Sequence, residues 1–121
     1  MTPQEHRAKA LRIERSMRKC NDDDSDMTIE CAMLAGTHWL NATLHVNGVT
    51  PEDTDVFHTY LLTVNEYRRL CVGANDAVKS LSEIEDLRPP YVRGNVGGGA
   101  QAAKRAVELL AIIRAKAEQE T

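Results

Sequence analysis

No CxxC pair occurs in this chain, and its cysteine count is three, Cys20, Cys31 and Cys71. An odd number without paired spacing excludes a disulfide framework and fits reduced thiols in a cytosol, each acting as a small buried hydrophobe. No segment approaches the roughly 20 apolar residues of a membrane span. The opening Met1-Thr-Pro-Gln-Glu-His-Arg7 has no apolar core of the signal-peptide kind, so the chain is expected to stay in the cytoplasm. Bulk charge is also lacking. A net charge of −3 with 27% charged residues excludes both a basic nucleic-acid coat and a disordered acidic tail. Period-two alternation is nowhere long enough for a strand. Nucleophile–base pairs, complete metal motifs and nucleotide fingerprints are absent too, so the sequence identifies no catalytic residue and no cofactor is expected.

What is there is helical periodicity with strong punctuation. The 121 residues suffice for one domain, 1–121, with a real core. The first helix is expected over about Pro3 to Cys20, with Thr2 as N-cap, Pro3 at the first position and Glu5 closing a capping box. His6 is expected to face solvent. The second follows Asp26 and runs to about Val46 or Asn47, where Gly48 stops it. It is apolar over most of its circumference, which places it centrally in the bundle or in a subunit interface. The connection from Gly48 to Leu62 reads as mostly loop, with Thr50-Pro-Glu-Asp53 able to open a short turn. A third helix is expected from near Thr63, capped by Thr63 and Glu66, continuously to Leu87, with Ala74 on its apolar stripe. Pro89 and Pro90 are then expected to end it. The last helix runs from about Gly98 to Glu118. The fold expected is an all-α, up-and-down antiparallel four-helix bundle.

That topology puts the loop between the first two helices at the same pole as the loop between the last two. The acidic run Asn21-Asp-Asp-Asp-Ser-Asp26 then meets Leu87-Arg-Pro-Pro-Tyr-Val-Arg-Gly-Asn-Val-Gly-Gly-Gly99. Asp22, Asp24 and Asp26 have the first spacings of a calcium loop, but Met27 and Met33 stand where the glycine and the bidentate glutamate belong. The run therefore complements a helix N-terminus and pairs with facing arginines. The glycine run is not a phosphate loop, since Ala100-Gln101 follows Gly99 in place of Lys and Ser or Thr. Free amides at Gly98 and Gly99, with Arg88, Arg93 and Lys104, nevertheless suit a phosphate or carboxylate, and these five are the candidate ligand-binding residues. His38 and His45 lie two turns apart, about 10 Å along a helix, too far to share one ion directly. A metal site at His45 and His58 with a loop carboxylate is an alternative.

The second helix, Ile29-Glu-Cys-Ala-Met-Leu-Ala-Gly-Thr-His-Trp-Leu-Asn-Ala-Thr-Leu-His-Val-Asn-Gly48, resembles the small-residue-rich second helix of HEPN-type bundles. The stretch Leu87-Arg-Pro-Pro-Tyr-Val-Arg-Gly94 resembles their arginine-containing loop. The resemblance covers the layout of residues 8–117. It implies a homodimeric helical domain, in some members a metal-independent ribonuclease using an arginine and a histidine four to six residues apart. Only Arg88 carries over, because Arg93 stands where a histidine would and none follows His58. An arginine does not shuttle a proton. The expectation is a non-enzymatic homodimeric module binding a nucleotide or RNA phosphate at the Arg88/Arg93 pole, with Trp39 an interface anchor. The alternative is a small hydrolase, either a ribonuclease or a metal-dependent enzyme using His45 and His58.

Overall fold

The computed structural model describes residues 1–120. It contains four α-helices, α1 (Pro3–Met17), α2 (Ser25–Val46), α3 (Val64–Arg88) and α4 (Gly99–Gln119), and no strand among the described residues. Both expected capping boxes form. The Thr2 hydroxyl accepts from Glu5 N–H while Glu5 accepts from Thr2 N–H, and Thr63 and Glu66 repeat the exchange at the start of α3. Each satisfies two backbone donors that a helix start would otherwise leave to water.

α1 ends three residues earlier than its periodicity suggests. The acidic run folds on itself just beyond, with Asn21 N–H donating to Asp24 and Asp23 N–H to the Asn21 side chain. Such local bonds compete with helix propagation. They also make Asp24, not Asp26, the residue before α2. At the other end, Gly48 takes a left-handed φ of 70°, and Val49 N–H returns to Leu44 O, so the expected stop holds.

α2 is central. α1, α3 and α4 each pack on it, and α3 also packs on α4. Trp39, Leu40, Leu44 and Ile29 are fully enclosed within the single chain. A Cβ at Gly36 would lie 3.0 Å from Ile113 Cδ1 and 3.4 Å from Leu81 Cδ1, so its lack of a side chain sets how closely α2 approaches both neighbours. Most of the apolar circumference of α2 is thus used within the bundle, with Met27, Leu34 and Val46 left exposed, and Trp39 is a core residue with no surface to offer a partner, contrary to its expected role as an interface anchor.

α3 is not one continuous rod. Ala74 has φ −150° and ψ 43°, outside the helical region. Tyr67 Oη lies 3.2 Å from Ser82 Oγ, although fifteen residues of unbroken helix would separate them by about 22 Å. Residues 64–73 therefore fold back along residues 75–88 and cover the α2–α3 connection. The corner falls at Gly73-Ala74-Asn75, where weak helix formers flank the break. The prolines also act differently from expectation. Pro89 is itself helical (φ −56°, ψ −49°), and α3 passes directly into a wide π turn over Pro89–Arg93, closed by Gly94 N–H to Pro89 O at 2.9 Å. The fixed φ of proline is compatible with helical backbone, and the turn widens where the two missing N–H groups leave carbonyls of the last turn of α3 without their usual donors. The chain leaves the helix only at Gly94.

Gly98, at φ 96°, starts α4, and a Cβ at Gly99 would lie 3.4 Å from Ser25 Cβ at the start of α2. The starts of α2 and α4 thus share a pole with the ends of α1 and α3, as the up-and-down reading requires. No helix among the described residues is long and apolar enough to cross a membrane.

Candidate functional site

The charged pole is assembled differently from its expected form. Arg88 does not face the acidic run. Its Nε donates to Glu30 Oε1 at 2.5 Å and its Nη2 to Oε2 at 3.4 Å. The bond to Glu30 raises the guanidinium pKa further, and the pair is half-buried between α2 and α3. Glu30 lies one turn beyond the acidic run, and only helix packing reveals it as the partner. Arg93 is exposed on the π turn. Lys104 instead lines a cleft of about 470 Å³ with Arg18 at the end of α1, Asp22, and Ser25 and Thr28 in the first turn of α2. Neither α2 nor α4 has a side-chain capping bond from its N-cap residue, although Asp26 accepts from Met27 N–H in the first turn of α2. Of the five candidate residues, Gly98, Gly99 and Lys104 belong to the start of α4, Arg93 stands on the preceding turn, and Arg88 is committed to Glu30.

The opposite pole holds a cluster that periodicity did not reveal. His6 is 1% exposed, not solvent-facing. Its Nδ1 lies 2.9 Å from His38 Nδ1, and its Nε2 lies 2.9 Å from Asp55 Oδ1. His45 Nε2 meets the same Asp55 oxygen at 2.8 Å. His45 Nδ1 lies 2.9 Å from the Thr50 hydroxyl and 3.1 Å from the Thr50 carbonyl oxygen. The ligand atoms of His6, His45 and Asp55 all fall within 4.8 Å of one another. The other Asp55 oxygen forms an ion pair with the Met1 amino group at 3.6 Å.

Three elements build this cluster. α1 supplies His6, the last turns of α2 supply His38 and His45, and the connection returns Asp55 over them. The connection is held in place by Asn41, whose amide donates to Val56 O at 2.7 Å and accepts from Val56 N–H at 2.8 Å. Burial lowers the pKa of His38 to about 4, and the neighbouring His6 and Lys9 add to the effect. Burial also lowers that of His6, against the pull of Asp55. For Asp55, burial alone would raise the carboxyl pKa, but hydrogen bonds from His45 and His6 outweigh it and the net direction is down. The His6 and His38 rings therefore favour the neutral form, and the Asp55 carboxyl the ionised one.

His58 is not part of this cluster. Its Nδ1 lies 3.0 Å from Glu85 Oε2, and the buried Glu85 carboxylate also accepts from the backbone N–H and hydroxyl of Thr59. The loop histidine thus locks the connection onto α3, and the pairing of His45 with His58 is replaced by His45 with His6. One signal for His6 was available in the topology, since the start of α1 and the end of α2 must share a pole.

Fold and sites together define an all-α four-helix bundle with a charged cleft at one pole and a histidine–aspartate cluster at the other. No family model, curated protein or solved structure matches the chain.

Proposed function

We propose that the chain is a non-enzymatic, HEPN-like helical module that binds a phosphate-bearing ligand, a nucleotide or an RNA segment, at the pole where α2 and α4 begin. The observation that carries this reading is the cleft of about 470 Å³ between Arg18 and Lys104, two cations that outnumber the one lining carboxylate, Asp22; it is bordered by the first turns of two helices whose N-cap side chains make no capping bond. Helix N-termini present unpaired N–H groups and a partial positive charge, and two cations beside them suit an anion. Arg93 extends the basic surface, whereas Arg88 serves the fold. A ribonuclease is less favoured, because the arginine pole has no histidine to move a proton.

The homodimer expected from the apolar second helix and from the family resemblance is kept, with a different surface. Phe57, Tyr60, Leu61 and Val64 are each about two-thirds exposed within eight residues of chain, and an apolar strip of this kind suits a partner copy. Light scattering of wild type and of Phe57→Asp/Leu61→Asp tests it. A dimer mass reduced to monomer in the variant is expected, and a monomeric wild type at micromolar concentration removes the dimer.

Anisotropy titration with a fluorescent adenine nucleotide and a short single-stranded RNA tests the cleft. Arg18→Glu/Lys104→Glu is expected to weaken binding at least tenfold and to flatten its salt dependence. Absence of binding to both probes at millimolar protein, or an unchanged affinity in the variant, overturns the assignment.

A further inference from the structure

The histidine–aspartate cluster lies at the opposite pole and stands independently of the anion-binding reading. Its geometry has a feature that a hydrogen-bonding clamp does not require. Two buried imidazoles from different helices aim their Nε2 atoms at a single oxygen of one carboxylate, 2.9 and 2.8 Å away. We propose that His6, His45 and Asp55 form a binding site for one divalent transition-metal ion of the zinc class.

The donor set selects the ion. Two nitrogens and one carboxylate oxygen suit zinc, cobalt or iron, whereas calcium and magnesium take oxygen ligands. Ligand atoms around a tetrahedral zinc at about 2.0–2.2 Å stand about 3.3–3.6 Å apart. The 2.8 and 2.9 Å contacts reach that spacing by opening about half an ångström or slightly more, and the two imidazole nitrogens, within 4.8 Å of each other, by closing toward it. The Asp55 side chain keeps 17% of its surface accessible, which leaves a route for the ion and a place for water as a fourth ligand.

The outer partners fit as well. A coordinating imidazole keeps one proton, on the nitrogen away from the metal, and needs an acceptor for it. For His45 the Thr50 carbonyl oxygen stands 3.1 Å from Nδ1, and for His6 the His38 Nδ1 stands at 2.9 Å. Without metal the protons move to Nε2 and donate to Asp55, while His6 Nδ1 accepts from His38 N–H and His45 Nδ1 from the Thr50 hydroxyl. In the neutral form each ring carries one proton in both states, so binding needs a tautomeric shift together with the small opening of the contacts. The lowered pKa values of His6 and His38 keep the rings neutral, the form in which nitrogen binds a metal. His38 is thereby a positioning residue that holds His6.

Cobalt titration of the metal-free 121-residue chain tests the site, because Co²⁺ in such a site develops visible d–d bands. One equivalent per chain is expected, with micromolar or tighter affinity and displacement by Zn²⁺. Asp55→Asn and His45→Gln, each checked for helicity by circular dichroism, should lose at least a hundredfold in affinity. His38→Gln should lose about tenfold, the size of effect typical of an outer partner. His58→Gln, whose imidazole pairs with Glu85, should stay within threefold of wild type. The proposal is overturned if the wild type develops no d–d bands under excess Co²⁺. It is equally overturned if the bands survive in both Asp55→Asn and His45→Gln, or if a thiolate band shows ligation by cysteine.

Discussion

Replacing Trp39 by Phe isolates a buried polar contact whose cost follows from the structure. The indole Nε1–H donates to Glu14 Oε2 at 2.6 Å, and the other Glu14 oxygen accepts from Arg114 at 3.0 Å, with Glu14 only 6% exposed. The guanidinium groups of Arg7 and Arg114 each lie 5.4 Å from the centre of the Trp39 ring. Phenylalanine has no donor, so a hydrogen bond to a charged group is lost, costing about 1.5–3 kcal/mol. The smaller ring leaves about 40 Å³ unfilled, about 1 kcal/mol at ~24 cal/mol per Å³. The weaker stacking with the arginines adds a few tenths. The expected destabilisation is therefore about 3–4 kcal/mol, or roughly 10–15 °C in Tm for a chain of this size. Urea unfolding followed by far-UV circular dichroism is the assay, since the substitution removes the chain's one tryptophan fluorophore. Glu14→Leu, which removes the acceptor, and the double variant complete a cycle. The double variant should cost about 1.5 kcal/mol less than the sum of the singles, because both remove the same bond. A Trp39→Phe cost below about 1 kcal/mol, or simple additivity, would refute the assignment of this contact as a strong buried hydrogen bond.

Two further perturbations probe the poles. His38 has a folded pKa of about 4 against an ordinary 6.5. The unfolded chain therefore binds the extra proton first, and stability present above pH 6.5 should fall as pH drops from 6.5 to 4 and level off below. Thermal melts of the metal-free protein across this window should show the slope, which His38→Gln should reduce; an equally steep slope in that variant would place its origin elsewhere. Gly94→Ala should destabilise by about 1–3 kcal/mol, because a Cβ there would lie 2.8 Å from Pro90 O and 3.0 Å from Pro89 O, both backbone atoms that cannot swing away. A Tm within 1 °C of wild type would show that the π turn yields.

Helix existence and most helix starts were legible in the sequence, because they are local. A capping box needs only Thr2 with Glu5 or Thr63 with Glu66, three residues apart, and Gly48 ends α2 through its own φ. Apolar periodicity then dictated an all-α bundle and a shared pole for the starts of α2 and α4. What remained hidden depends on contacts between residues distant in the chain. The corner at Ala74 breaks a continuous apolar stripe, and the fold-back lets residues 64–73 cover the connection. Gly73 and Asn75 were the only local hints. The side chains of Glu30 and Arg88 are 58 residues apart and meet because α2 and α3 pack together. His6, His38, His45 and Asp55 carry no diagnostic spacing along the chain. Considered singly on their helices, His6 faces solvent and His38 and His45 stand too far apart for one ion. Only the antiparallel docking of α1 on α2, with the connection folded back over both, brings His6 and Asp55 to His45 and turns separate polar residues into one site.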